Sequence, residues 1–489
     1  MSFLLFGIGL LQLAALTDQM GFKVAVLDNN AFRLPIDAVR ETVKEDQWDI
    51  IGIGGLTSQY KHIQKLVPMC RDERPSAVIV GGGGWITAQP RDMMRWLPEL
   101  DIGCIGEAYL TWPEVLEHVD DQNWKKIKGL VYREGKKVKL SKMRPLLPEE
   151  KLDEEIPFPA YEFSPVETYL MNSRMPYSPE AMHPACRRLD VCSSFGCPWQ
   201  CNFCFHGGCT PSCQSKIYGK KVTGKAFRQH SPEYVVNLIR HLRMQYCINF
   251  VSFIDENMTV NKKWFYRFCD CLEASGLATL IHWGMVCHTK TVDAALLQKG
   301  KDVGLSYCSY GGESASLKLL KQMGKGQNKE QMAAAISATQ AAGINPIMSF
   351  IIGFPDTTID DLIEDCQFYV DNQVHVVPFF VQPYPATKLY REYKDKIIEQ
   401  MLTDEERDFC LEQAAKRSTK MLAKVDEIRD KALERWVLSL DDATRLSVNL
   451  TDFNDVELAG LRYLLSTWDL NRLKKFKKML NKEDVSYIK

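Results

Sequence analysis

The chain has 489 residues, 45% of them hydrophobic, and its 61 lysines and arginines face 62 aspartates and glutamates. That length and apolar content exclude a disordered or fibrous chain and allow about two to four domains; the formal net charge of -1 excludes a global field that would recruit nucleic acid or a membrane surface. The 16 cysteines are scattered rather than grouped as a compact framework, which predicts reduced thiols and a cytoplasmic, oxygen-sensitive protein rather than a stapled secreted one.

The opening Met1 to Leu16 is apolar and contains Leu13-Ala14-Ala15, but no lysine or arginine precedes it and it is too short to span a bilayer. It is expected to be the end of a strand or loop followed by a buried helix closing at Gly21. Strand-like runs then follow at Lys23 to Leu27, Ile50 to Gly54, Ala77 to Gly81 and Ile102 to Ile105, each trailed by small or polar residues and a helical pattern. This alternation predicts a parallel, doubly wound α/β sheet over residues 1–140, whose ligand would sit beyond the carboxyl ends of the strands. Those tips are Asp28-Asn29, Leu56 to Tyr60, Gly81 to Gly84 and Gly106-Glu107.

Residues 141–185 are proline-rich and aperiodic, with Leu152 to Ala160 reading as an extended connector. Alternation resumes over 186–395, with strands expected at Leu189 to Cys192, Phe250 to Ile254, Leu280 to Trp283, Leu305 to Tyr310, Pro346 to Ile352 and Val377 to Gln382, and helices at Pro232 to Tyr246 and Lys329 to Ala342. Six such units predict an open (β/α)6 partial barrel with its site at the strands' C-terminal ends. Residues 396–489 are charged and helix-favouring and predict a helical region. Its basic stripe, Arg472, Lys474, Lys475, Lys477 and Lys478, reads as a solvated helix face or a contact for an acidic partner.

The densest motif follows the first barrel strand: Cys197-Pro198-Trp199-Gln200-Cys201-Asn202-Phe203-Cys204. Three thiolates at this spacing can hold three corners of a cubane cluster and leave one iron open to a substrate or cofactor. The alternatives are a zinc knuckle, kept alive by His206, Cys209 and Cys213, and a disulfide framework, which needs an oxidising compartment.

With Ser194-Phe195-Gly196 leading in, the cysteine run resembles the signature of the radical S-adenosylmethionine (SAM) enzymes. The N-terminal tips, taken with Gly9-Leu10-Leu11-Gln12-Leu13-Ala14-Ala15, resemble the cobalamin-binding domain that precedes many of them. The resemblance covers about residues 1–390. It implies a 4Fe-4S cluster on Cys197, Cys201 and Cys204, SAM, and cobalamin. It implies SAM contacts from Phe203, Glu256, Glu313, Ser314, Gly353 and Pro355; Phe203 could equally be core packing. It implies cobalamin contacts from Gly9, Leu10, Asp28, Leu56, Thr57, Ser58, Gln59, Tyr60, Gly81, Gly82, Gly83, Gly106 and Glu107; a Rossmann-like domain that binds a nucleotide or no ligand is the alternative. No Asp-x-His-x-x-Gly motif is present, so cobalamin would bind base-off with the Leu56 to Tyr60 loop beneath the metal.

Two departures from the pattern are His288, where relatives often carry arginine, and Gly353-Phe354-Pro355-Asp356 in place of the commoner Gly-x-Pro-Gly. The activity implied is cobalamin-dependent radical C-methylation of an unactivated sp3 carbon through a 5'-deoxyadenosyl radical and methylcobalamin. A protein or peptide side chain is the expected acceptor, with glutamine one candidate, a small molecule remains open, and a flavodoxin or ferredoxin type donor would supply electrons. A non-methylating ring-forming or rearranging enzyme and a cobalamin sensor or carrier are the alternatives.

Overall fold

The structure is a computed structural model that describes residues 7–172, 175–205, 210–416, 421–441, 446–454, 457–458 and 470–480. Residues 1–6 of the opening segment, and His206 and Cys209 of the zinc alternative, lie outside the described residues.

A helix at Ile8–Gln19 follows the opening segment, and Gly21 takes the left-handed conformation that ends it. The first sheet has five strands in the order β1 (Ile50–Gly55), β2 (Val78–Gly83), β3 (Ile102–Cys104), β4 (Leu130–Glu134) and β5 (Lys137–Leu140). Strands β1, β2 and β3 are parallel, whereas β3, β4 and β5 pair antiparallel, so the sheet is mixed rather than wholly parallel as expected. The missed pair is a hairpin whose turn at Gly135 has φ of 60°. Lys23 to Leu27, expected as a strand, carries none; Val26 and Leu27 pack as half-buried side chains on two different cores. An apolar run becomes a strand only where a neighbour accepts its backbone groups.

The second sheet is six-stranded and parallel throughout, in the order β6 (Arg188–Val191), β9 (Phe250–Phe253), β10 (His282–Cys287), β11 (Leu305–Glu313), β12 (Asn345–Ile352) and β13 (His375–Phe380). The first five strands are largely buried on both faces and read as near-continuous apolar runs, whereas the edge strand β13 leaves His375 and Phe379 exposed. The third is displaced, to His282–Cys287 from the expected Leu280 to Trp283, and so is the sixth, to His375–Phe380 from the expected Val377 to Gln382. The crossover helices begin at built caps: Ser231 accepts from the Tyr234 amide ahead of Pro232–Tyr246, and Asn328 forms a capping box with Gln331 ahead of Lys329–Ala341. A short antiparallel ribbon, β7 (Ser194–Gly196) with β8 (Phe227–Gln229), brackets the cysteine loop.

The connector is less extended than its prolines suggest. It folds into short turns and helices at 149–155, 161–163, 166–171 and 179–182, and it buries Leu152, Ile156 and Tyr161. Helix Lys388–Met401 runs straight through residue 395, where the barrel was expected to end. Helices Asp404–Lys416, Leu422–Leu438 and Leu470–Leu480 make up much of the C-terminal region. In the last of these Lys474 donates to Gln367 and Lys477 pairs with Asp360, both on helix Ile359–Asn372, so part of the basic stripe meets an acidic face of the same chain. Among the described residues, no helix is long and apolar enough to cross a membrane.

Candidate active site

The cysteine loop begins where β6 ends and is held on several sides. The Asp255 carboxylate, at the tip of β9, accepts from the Ser193 amide at 3.0 Å, from the Ser193 hydroxyl at 2.7 Å and from the Ser194 hydroxyl. Within the loop, the Asn202 amide donates to the Met323 carbonyl at 2.9 Å and its side chain to the Gln322 carbonyl at 2.6 Å. The Leu389 amide donates to the Asn202 carbonyl at 2.9 Å. Trp199 stacks on His288, with ring centroids 4.4 Å apart and planes 10° from parallel. His288 Nδ1 accepts from the Lys290 amide, so Nε2 carries the proton and donates to the Lys325 carbonyl at 3.2 Å. Burial, and then the Lys325 charge, lower the His288 pKa to about 4, so the ring is neutral. This accounts for the departure at position 288: the side chain there braces the cysteine loop.

Cys201 is buried, and Cys197 and Cys204 are half-buried. Burial pushes the Cys197 thiol up to about 11 and raises Cys201 as well, against the lowering effect of Lys325. Among the described residues, no three His, Cys, Asp or Glu side chains are already gathered around one point. The donor set nonetheless suits a cubane: three thiols within eight residues of one braced loop, which bound iron would hold as thiolates despite their burial.

The neighbouring strand tips converge on this loop. Glu256 is exposed just beyond β9 and close enough to raise the Cys197 and Cys201 pKa values. Glu313, the last residue of β11, has φ of 66°, a left-handed conformation unusual for a residue other than glycine. Its carboxylate accepts from Lys325 Nζ at 2.9 Å and from the Ser349 hydroxyl at 3.3 Å. Ser314 is fully buried, and its hydroxyl donates to Asp365 at 2.9 Å on the helix behind the sheet. Beyond β12, Gly353 has φ of 80° and Pro355 is buried. Phe354 meets Phe203 edge-on at 6.5 Å, joining the cysteine loop to that tip.

Across from these, β1 and β2 end in register as Gly54-Gly55 beside Gly82-Gly83. A Cβ added at Gly82 or at Gly9 would meet nothing within 4 Å. One added at Gly83, where φ is 86°, would lie 2.5 Å from the Gly55 carbonyl. Exposed Leu10 (37%) and Leu56 (61%) flank these tips. A side-chain-free ledge between apolar residues fits the broad face of a corrin. Thr57 is buried, Ser58 half-buried, and the exposed Gln59 closes the loop by accepting from the Leu56 amide at 2.7 Å. Gly81 packs under Trp85, and the Gly106 amide donates to Thr87 at 3.0 Å.

Three of the expected cobalamin residues have other partners. The Asp28 carboxylate caps its own short helix and accepts from Ser164 at 3.0 Å and Tyr169 at 2.7 Å. The Tyr60 hydroxyl donates to Glu434 at 2.9 Å on helix Leu422–Leu438. Glu107 forms a buried ion pair with Arg228 of β8, and the same carboxylate accepts from the Leu147 amide at 3.1 Å. These contacts tie the first sheet to the connector, to the C-terminal region and to the ribbon around the cysteine loop. The sequence offered no sign of Lys325, Arg228 or the C-terminal contribution. Residues 446–454 reach the tips after β12 and β13, with the Ser447 hydroxyl on Gln382 at 2.6 Å and Leu446 3.2 Å from a Cβ added at Gly353.

The two features that stand out are a glycine-rich ledge on one α/β sheet and a three-thiol loop at the tips of a six-stranded parallel sheet. Residues 3–116 match the B12 binding domain family and residues 191–369 the radical SAM superfamily. An uncharacterised methyltransferase of Pyrococcus horikoshii is 29% identical over 385 residues, 78% of this chain and 77% of that protein. The anaerobic magnesium-protoporphyrin IX monomethyl ester cyclase of Cereibacter sphaeroides is 24% identical over 74% of this chain, which spans 56% of the cyclase. Among solved structures, the radical SAM methyltransferase TsrM of Kitasatospora setae, with tryptophan and a SAM analogue bound, shares the fold at a TM-score of 0.62 and 15% identity, covering 80% of this chain and 73% of TsrM. The cobalamin-dependent radical SAM enzyme OxsB shares it at 0.60 and 18%, covering 80% of this chain and 53% of OxsB. The chain joins a B12 binding domain to a radical SAM domain, which makes it an enzyme that takes a 4Fe-4S cluster, SAM and cobalamin, and it resembles the cobalamin-dependent radical SAM methyltransferases.

Proposed function

We propose that the chain is a C-methyltransferase acting on an unactivated sp3 carbon of a protein or peptide side chain, with glutamine one candidate acceptor. When bound, the cluster supplies the electron that cleaves SAM and cobalamin supplies the carrier for the transferred methyl group. Cys197, Cys201 and Cys204 would hold the cluster. Glu313, preset by Lys325 and Ser349, would receive the ammonium end of SAM, and Phe203 with Gly353 to Pro355 would line its adenine. The Gly54-Gly55 and Gly82-Gly83 ledge, flanked by Leu10 and Leu56, would seat the corrin. The connector and the 446–454 segment at the tips after β12 and β13 would help exclude water from the reacting groups.

The observation that carries this reading is the Glu107–Arg228 pair, which ties the ledge domain directly to the ribbon around the cysteine loop. Support for an amino-acid-like acceptor comes from the structural neighbour solved with tryptophan. The cyclase relatives favour a second reading, ring formation on a small molecule without methyl transfer. In either case the enzyme would be cytoplasmic and anaerobic and would draw electrons from a flavodoxin or ferredoxin.

The test is anaerobic reconstitution with iron, sulfide and cobalamin, then SAM, a strong reductant and a glutamine-containing peptide pool, with mass spectrometry of products. Formation of 5'-deoxyadenosine and S-adenosylhomocysteine together, with a peptide heavier by one methylene, is the expected result. Formation of 5'-deoxyadenosine alone supports the ring-forming reading and overturns methyl transfer.

A further inference from the structure

Lys325 is a buried cation that the cysteine motif does not predict. It follows helix Leu317–Met323, and its side chain, 11% exposed, ends 2.9 Å from Glu313, whose side chain is 8% exposed. Segments on both sides of Cys201 are tied to the backbone around this lysine. Asn202 donates twice, to Met323 and Gln322, and a Cβ added at Gly324 would lie 3.5 Å from the Gln200 carbonyl. Trp199 stacks on the ring whose Nε2 reaches the Lys325 carbonyl. The 322–325 turn and the 199–202 turn therefore pack as one unit, with the Lys325–Glu313 pair beneath the cysteine loop. Burial alone would lower the Lys325 pKa, but Glu313 and the Cys201 and Cys204 thiols outweigh it and keep the ammonium charged.

We propose that Lys325 and Glu313 are an opposed charge pair that sets the reduction potential of the cluster, the ammonium favouring the reduced state and the carboxylate the oxidised one. Reduction adds one negative charge to the cluster. A fixed cation nearby stabilises that charge, and a fixed anion opposes it, most strongly where water is excluded. Lys325 thus has a second role besides presetting Glu313: a weak biological donor has less far to push the cluster. The inference rests on the cluster being seated at Cys197, Cys201 and Cys204.

The experiment is a redox titration of the reconstituted full-length protein without SAM, following the reduced cluster by electron paramagnetic resonance, with iron and sulfide counted in every sample. Lys325→Met is expected to lower the reduced-to-oxidised ratio at a fixed potential about tenfold, about 59 mV for a one-electron couple, roughly what a unit charge about 10 Å away produces at an effective dielectric near 20. Glu313→Gln is expected to shift the ratio the other way, and Lys325→Arg to leave it near the parent value. A packing role would move the two charge-removing variants in the same direction, or neither; either outcome, with full iron content, overturns the proposal. If Lys325→Met fails to take up iron, Lys325→Arg and Glu313→Gln still decide it: an unmoved arginine variant with a raised glutamine variant supports it, and any other pattern refutes it. Undiminished iron in a Cys197, Cys201 and Cys204 triple alanine variant would refute the cluster seat instead, and the two failures are distinguishable.

Discussion

Replacing Arg228 by methionine leaves a buried carboxylate with much of its support removed. Arg228 is 2% exposed and Glu107 8%; the guanidinium donates to both Glu107 oxygens and, at 2.6 Å, to the Leu147 carbonyl. In the variant the Leu147 amide, 3.1 Å from Glu107, still donates to it, but the countercharge is gone. Breaking a buried pair by removing one partner costs about 3–5 kcal/mol, whereas replacing both partners by apolar side chains is often near neutral. The same cost is expected for Glu107→Leu, which strands the guanidinium. On the roughly 2–4 °C per kcal/mol of a 150–250-residue unit, each single variant should lower the melting transition by roughly 6–20 °C, and the double variant should recover most of the loss. Thermal and urea unfolding followed by circular dichroism would measure it, with cobalamin uptake read by absorbance. Single variants within about 1 kcal/mol of the parent, or a double variant equal to the sum of the singles, would refute the reasoning.

Gly82→Val should leave stability unchanged, because its Cβ meets nothing within 4 Å, yet weaken cobalamin uptake by filling the ledge; uptake equal to the parent's would remove the ledge from the site. Gly83→Ala should cost about 1–3 kcal/mol or more from backbone strain alone, with the Gly55 carbonyl 2.5 Å from the new methyl adding to it, visible as a lowered melting temperature. His288, held neutral with its pKa lowered from 6.5 to about 4, binds a proton more readily when unfolded, so its contribution is present above about pH 6.5 and is lost as pH falls toward 4. The loss amounts to about 3 kcal/mol, and His288→Asn should flatten the urea midpoint over that window. Tyr60→Phe removes a hydrogen bond to the Glu434 carboxylate and should cost about 1.5–3 kcal/mol, with helix Leu422–Leu438 cut sooner by a protease.

The features legible in the sequence are those whose determinants lie close together along the chain. Cys197, Cys201 and Cys204 span eight residues, so the motif is carried by their spacing alone. The first five strands of the second sheet are largely buried on both faces, and their apolar runs bounded by glycine and polar tips mark them without reference to partners. The same rule fails for Lys23 to Leu27, where the apolar residues pack as side chains on neighbouring cores, and for β4 and β5, five and four residues long, which form by antiparallel pairing onto β3.

The tertiary structure decided which polar residues are spent on architecture. Asp28, Glu107 and Tyr60 occupy the tips expected to contact cobalamin, yet each bonds a residue more than a hundred positions away, at Tyr169, Arg228 and Glu434. Lys325 reaches Glu313, and Leu446 reaches Gly353, only because crossovers bring separate turns to one end of the sheet. By itself the sequence carried the strand periodicity of both sheets and the three-cysteine spacing, because those lie close together along the chain, and the family and cofactors followed from the resemblance those residues bear. Folding alone decided the charge beneath the cysteine loop and the contacts between the two sheets, because buried charges must find partners wherever the chain's path brings them.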